Sequence, residues 1–264
     1  MSRFFGYLGP SSPLEQIVLK APHSILAQAR GAGSLHPGEI CAHGFGFGWY
    51  AGDGGPCSYT SELPIWLDQN LPSLARGLES DIWLGAAFGA PAEDQSVECS
   101  APVHDDELLF LFDGRVPDFG YLLRPQIRDF LATEIEAEMR GGDPRTHLFA
   151  LLRHLLGGDE ELSVEESVAQ IYELCRDWLG RAGADLSFLL SDGERLYAAR
   201  LGLNTQPPPC YYTTDDENFP EAQVVASEPL TETDFWHPLP NDCVLILDPE
   251  QPPELLDLEA ALGN

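Results

Sequence analysis

The sequence predicts an α+β fold, with antiparallel strands toward both ends of the chain and helices between them. Short apolar or alternating runs at 4–8, 44–50, 82–88 and 108–112 read as strands. Helical stripes then occupy 120–139, 145–156 and 164–181, separated by Gly-Gly pairs at 141–142 and 157–158. Strand patterns return at 186–191, 195–200, 210–213, 223–227 and 243–248. The order strands, helices, strands points to layered α+β packing rather than a doubly wound sheet.

The first strand, Phe4 to Leu8, is expected to stop at Gly9-Pro10-Ser11-Ser12-Pro13, with helices from Leu14 and over 23–30. Residues 31–43 are glycine-rich and read as a loop. In Gly44-Phe45-Gly46-Phe47-Gly48-Trp49-Tyr50 the aromatics fall on one strand face and the glycines on the other. A glycine face means that a helix, a second sheet or a ligand approaches the backbone closely. Residues 51–59 read as a turn around Asp53-Gly54-Gly55-Pro56. A helix is expected after Pro64, with Ile65, Leu67, Leu71, Leu74 and Leu78 on its apolar stripe. Residues 90–107 read as acidic and irregular. Asp113-Gly114 ends the strand at 108–112, and Asp192-Gly193 between apolar runs is a hairpin signal. No repeat or compositional break divides the chain, so one domain over 1–264 is expected.

Composition narrows the function. Apolar residues make up 44% and aromatics 10%, which is globular rather than disordered. Lys plus Arg is 14 against 43 for Asp plus Glu, a formal charge of −29. Such a surface repels phosphate backbones and anionic lipid, so no nucleic acid or membrane partner is expected. No apolar run approaches the roughly 18 residues of a bilayer span. The N-terminus reaches Pro10 and Ser11 too early for a signal peptide, so the cytoplasm is the expected location. Cysteines at 41, 57, 99, 175, 210 and 243 form no C-x-x-C pair and read as buried thiols.

Six motifs in order carry a resemblance. They are Met1-Ser2-Arg3 with Tyr7-Leu8-Gly9; Gly44 to Tyr50; Pro64-Ile65-Trp66; Leu148-Phe149-Ala150-Leu151-Leu152; Asp192-Gly193-Glu194-Arg195-Leu196; and Val225-Ala226-Ser227-Glu228-Pro229-Leu230. Together they span nearly the whole chain. In this pattern the chain resembles the class II glutamine amidotransferase family of N-terminal nucleophile hydrolases, in its ergothioneine-pathway γ-glutamyl hydrolase branch. The resemblance implies a four-layer αββα sandwich of two antiparallel sheets.

It also implies a chemistry, and this chain departs from it. In the family a Cys at mature position 1 attacks a γ-carboxamide, with its own α-amine as base. Asn and Gly of an H-N-G motif form the oxyanion hole. An Arg clamps the substrate α-carboxylate, and an Asp of T-D-S-E takes the α-ammonium. Here the nucleophile position is Ser2, and H-N-G is Phe112-Asp113-Gly114. The Arg position is Phe88, and Pro144 followed by Arg145 occupies the Asp position. Cys41-Ala42-His43 replaces N-A-D before the Gly-aromatic strand. Ser2 can still act as a nucleophile, or can be a Cys-to-Ser substitution, which would not account for the other changes. An ionised Asp113 repels an oxyanion where a donor is needed, and losing one such donor costs about 3 kcal/mol.

Several readings stay open. The first is a catalytically degenerate scaffold kept as a binding or regulatory subunit for a protein partner, either an active paralogue or an enzyme of the same pathway. Self-association is a second expectation about partners. An alternative is an active Ser-type amidase or γ-glutamyl hydrolase of altered substrate, with His43 and Asp113 recruited near Ser2; retention of Met1 would remove it. A structural subunit of a larger complex is the third. No cofactor and no metal is expected. His104-Asp105-Asp106 reads as an exposed loop, His147 and His154 as a surface or interface pair, and 158–166 and 214–217 as solvated acidic stretches.

Overall fold

The computed structural model describes residues 2–33, 35–89, 101–158, 162–214, 216–232 and 234–261. Two antiparallel sheets stack face to face between two outer helical layers. The first sheet has seven strands, in the order His237–Pro238, Tyr211–Thr213, Gln223–Ala226, Arg3–Pro13, Glu79–Ala87, Phe45–Tyr50 and Pro56–Ser61. The second has six, ordered Gln251–Asp257, Cys243–Asp248, Leu196–Arg200, Phe188–Ser191, Leu109–Phe112 and Val103–His104.

Period-2 alternation divides each central strand between two cores. Phe5, Tyr7, Phe45, Phe47 and Trp83 pack outward under the helical segments carrying Leu14, Ile17, Ile25 and Leu71. Phe4, Leu8, Ile82, Leu84 and Ala86 point inward, against Leu109, Leu111, Leu189, Leu196 and Leu245 of the facing sheet. The outer face of the second sheet, with Phe110, Phe188, Leu190 and Val244, is covered by the helices Pro144–Leu156 and Val164–Leu179. Three cores between four layers make the αββα sandwich.

The second sheet and its leading segment approach the glycine face of Phe45–Tyr50 closely. A Cβ on Gly46 would collide with the carbonyl oxygen of Ala101, and one on Gly48 would lie 2.8 Å from Leu109 Cδ2 and 2.9 Å from Pro102 Cγ. A neighbouring layer, not a covering helix, explains that alternation.

Several local expectations are corrected. The first strand runs on to Pro13, because Ser12 and Pro13 resume pairing with Ser80 and Glu79 after an irregularity. Only the start of 51–59 is a turn; Pro56–Ser61 is an edge strand paired with Phe45–Tyr50, where a leading proline is tolerated. Val103–His104 pairs with Leu109 and Phe110, so 90–107 is not wholly irregular, and 90–100 lies outside the described residues. The expected helix at 120–139 is three short ones, Phe119–Leu122, Arg124–Phe130 and Thr133–Glu138. Pro125 begins a new first turn, and Leu131 and Ala132 are extended. The stripe after Pro64 splits into a 3₁₀ turn at Ile65–Leu67 and a helix at Leu71–Gly77. Asp216 is buried rather than solvated; it accepts from Thr231 Oγ1, Trp236 Nε1 and Asn218. Cys41, Cys175, Cys210 and Cys243 are buried as expected, Cys57 is half-buried, and Cys99 lies outside the described residues. Among the described residues no helix is long and apolar enough to cross a membrane.

Candidate functional site

Strand register brings the N-terminal end of the first sheet together. Arg3 and Phe45 both stand opposite Ala87, so Ser2, Gly44 and Phe88 gather one step further along. The Phe88 N–H donates to the Gly44 carbonyl at 2.9 Å, and the His43 N–H donates to the Phe88 carbonyl at 3.0 Å. On the other flank Ser227 Oγ accepts the Phe4 N–H at 3.1 Å. From the facing sheet, the strand Leu109–Phe112 delivers Asp113 and Gly114. The Asp113 N–H donates to Ser187 O at 3.0 Å, and Arg115 and Asp185 exchange backbone bonds of 2.8 Å. Gly114 is sterically required: a Cβ would strike the Asp185 carbonyl and the Phe112 ring.

Ser2 and Asp113 are brought together. Burial raises the Asp113 carboxyl above the ordinary aspartate range, while the Ser2 hydroxyl and the Arg3 charge pull it back down. Part of the residue still reaches solvent, so the surrounding protein rather than full closure causes the shift. Asp185, buried behind it, is pushed up to about 6; burial raises it, bonds from the Ser187 N–H and hydroxyl lower it, and the Asp113 charge raises it. An ionised Asp113 therefore disfavours ionisation of Asp185. Only in its protonated form is Asp113 a donor; ionised, it is a repelling anion.

Cys41 is fully buried nearby. Burial raises its thiol pKa, the Arg3 charge lowers it, and Asp113 and Glu39 raise it. Phe88 belongs to the core between the sheets. Pro144 and Arg145 open the helix Pro144–Leu156 in the outer layer over the second sheet. Asp143 caps that helix by accepting the Thr146 N–H at 3.2 Å, and Arg145 Nε lies 3.5 Å from the same carboxylate.

Residues outside the sequence-predicted site tie this end together. Arg3, 1% exposed, has Nε 3.6 Å from Glu228 and Nη2 3.5 Å from Glu39. The signal was available: Arg3 and Glu228 are opposite charges inside two motifs at opposite ends of the chain. Asp185 and Ser187 gave none, since an Asp before an apolar run reads as strand punctuation. His147 is buried against Phe119, with Nδ1 3.0 Å from the Asp143 carbonyl, so it is no surface histidine. Among the described residues no three His, Cys, Asp or Glu side chains group to hold a metal.

No protein-family model matches the chain. It is 26% identical over 245 residues to the gamma-glutamyl-hercynylcysteine sulfoxide hydrolase of Mycolicibacterium smegmatis, covering 91% of this chain and 93% of that protein. It is 22% identical over 292 residues to the probable glutamine amidotransferase DUG3 of Saccharomyces cerevisiae, covering 94% of this chain and 82% of that one. Among solved structures it superposes on a glutamine aminotransferase class-II domain protein of Silicibacter pomeroyi with a TM-score of 0.68 and 24% identity, over 97% and 98% of the two chains. A glutamine phosphoribosylpyrophosphate amidotransferase from B. subtilis gives a TM-score of 0.59 at 14% identity, with 49% of that longer chain covered. These two likenesses concern the fold.

Proposed function

We propose that the chain, similar over nearly its whole length to a gamma-glutamyl-hercynylcysteine sulfoxide hydrolase and a probable glutamine amidotransferase, is a catalytically degenerate class II glutamine amidotransferase-like protein serving as a binding or regulatory subunit for a protein partner. The observation that carries this reading is Phe88. The family's carboxylate clamp would stand there, and the residue is instead packed into the core between the sheets. The cation beside it, Arg3, is buried against Glu228 and Glu39 and is not presented to a substrate. Pro144 offers no charge for an ammonium group, and the Ser2 hydroxyl is a weaker nucleophile than a thiol.

The test is glutaminase chemistry. Purified protein is incubated with glutamine and with simple γ-glutamyl amides, and ammonia and glutamate are measured. No release above a heat-treated control is expected, in the wild type or in Ser2→Cys, because a thiol restores neither anchor. Turnover by either protein overturns the reading.

One observation favours the alternative of a Ser-type hydrolase with another substrate: the Ser2 hydroxyl faces a carboxyl that burial drives toward its neutral, donating form. That enzyme would lose activity as pH rises through the Asp113 ionisation. It would be disabled by Asp113→Ala and would tolerate Asp113→Asn.

A further inference from the structure

The motif Val225–Leu230 contributes no reacting group to the chemistry above, yet its acidic residue is engaged from several sides. Glu228 is wholly buried, at 0% exposure. Its Oε1 accepts the Leu35 N–H at 2.6 Å, and its Oε2 lies 3.6 Å from Arg3 Nε. Gly33 packs so closely that a Cβ there would stand 2.6 Å from Oε2. Gln28 Nε2 donates to the Glu228 carbonyl at 3.3 Å and to His23 O at 2.9 Å. Arg3 reaches on to Glu39. One carboxylate thus binds the loop on one side and the neighbour of Ser2 on the other. Further along the loop, Cys41 is fully buried within charge range of both Arg3 and Asp113. On the outer side of the loop Leu35 and Ile40 are open to solvent, 43% and 58% exposed.

In general, hydrophobic residues of similar volume often replace a buried ion pair at little cost in stability, since desolvating two charges offsets most of their attraction. What a buried charged pair supplies instead is specificity: it fixes which segment seats against this end of the sheets. We propose that Glu228 is a positioning residue that clasps the segment 35–43 against the Ser2 end of the sheets, and that release of this clasp governs access to Ser2 and Asp113. The inference goes beyond the proposed function, because a binding cleft and a hydrolytic one would be gated alike.

Two variants of the full chain test it. Glu228→Gln keeps the volume and removes the charge. Arg3→Met combined with Glu228→Gln removes both charges, so no buried ion is left unpaired if the single variant fails to fold. Iodoacetamide labelling of Cys41 is followed by peptide mass spectrometry, beside hydrogen exchange over 35–43. In the folded variants both rates should rise by about tenfold or more, the scale expected when the Leu35 bond loses its charge assistance and the contact with Arg3 loses its attraction. Protection in 4–8 and 243–248 should hold. Unchanged rates overturn the clasp, and so does an equal loss of protection across the whole chain, which would make Glu228 a general stability element. For access, Ser2→Cys supplies a thiol at the end of the sheet, and Glu228→Gln in that background should speed labelling at position 2. An unaltered rate there sinks the gating.

Discussion

Asp113 and Asp185 meet where the second sheet ends, and burial makes ionisation of each more costly than in water. The consequence for stability has a definite sign. A carboxyl whose pKa is higher in the folded than in the unfolded chain favours the fold while it is protonated. For Asp185 that contribution is present below its unfolded pKa near 3.8 and is lost as pH rises toward about 6. Asp185→Asn keeps an oxygen for the two Ser187 bonds and cannot ionise. Thermal melts from pH 4.5 to 8 should show the wild type losing on the order of 2 kcal/mol more than this variant, nearly all of it below pH 7. Parallel profiles would mean that Asp185 is ionised throughout. Only half of this pair was legible in the sequence. Asp113 was found because a motif placed it, whereas Asp185 matters only because bridge pairing with Arg115 brings its strand alongside.

Strands were legible where side chains alternate against two different layers, and illegible where a strand lies at an edge. Phe45–Tyr50 has aromatics on one face and glycines on the other because one face meets helices and the other meets a sheet. Pro56–Ser61 and Gln251–Asp257 begin with or contain prolines, which read as breakers, yet an edge strand needs no donor on its open side. The long helical stripe at 120–139 divides because its apolar spacing continues across helix breaks: Pro125 starts a new first turn, and Leu131 and Ala132 turn extended, which the apolar period does not signal. The glycine face allows a graded test. Ala normally stabilises a strand relative to Gly, so any loss reports crowding. Gly46→Ala meets the immovable Ala101 carbonyl and should cost about 2–3 kcal/mol, near the top of the overpacking range. Gly48→Ala meets the ends of Leu109 and Pro102 side chains, which can shift, and should cost less. Gly52→Ala has nothing within 4 Å and should change stability by less than about 0.5 kcal/mol. Urea denaturation of the three gives the order, and a neutral Gly46→Ala would contradict the close approach of that layer.

For the whole molecule the dominant electrostatic fact is the surplus of 43 acidic over 14 basic side chains. Favourable pairs exist: Arg153 meets Asp105 at 2.8 Å and Glu107 at 3.0 Å, Arg195 meets Asp248 at 2.8 Å, and Arg128 meets Glu136 at 2.8 Å. Each is partly exposed, and such pairs contribute about 0–1 kcal/mol and weaken in salt. The remaining acids repel one another over the roughly 30 Å that dilute salt leaves unscreened, and folding brings them closer than they are in the extended chain. The two effects respond to salt with opposite signs, so the numbers decide: a formal charge of −29 outweighs a handful of exposed pairs. Raising sodium chloride from about 10 mM to about 300 mM, which shortens the screening length from some 30 Å to under 10 Å, should therefore raise the melting temperature. The shift should be several degrees, at about 2–4 °C for each kcal/mol of repulsion removed in a chain of this size. The same field sets a condition on any partner of the proposed subunit: its docking face must be basic or neutral, and a basic one would bind less tightly in the high-salt arm. A melting temperature that falls with salt would show that the few ion pairs, not the acidic surplus, govern the fold's electrostatics.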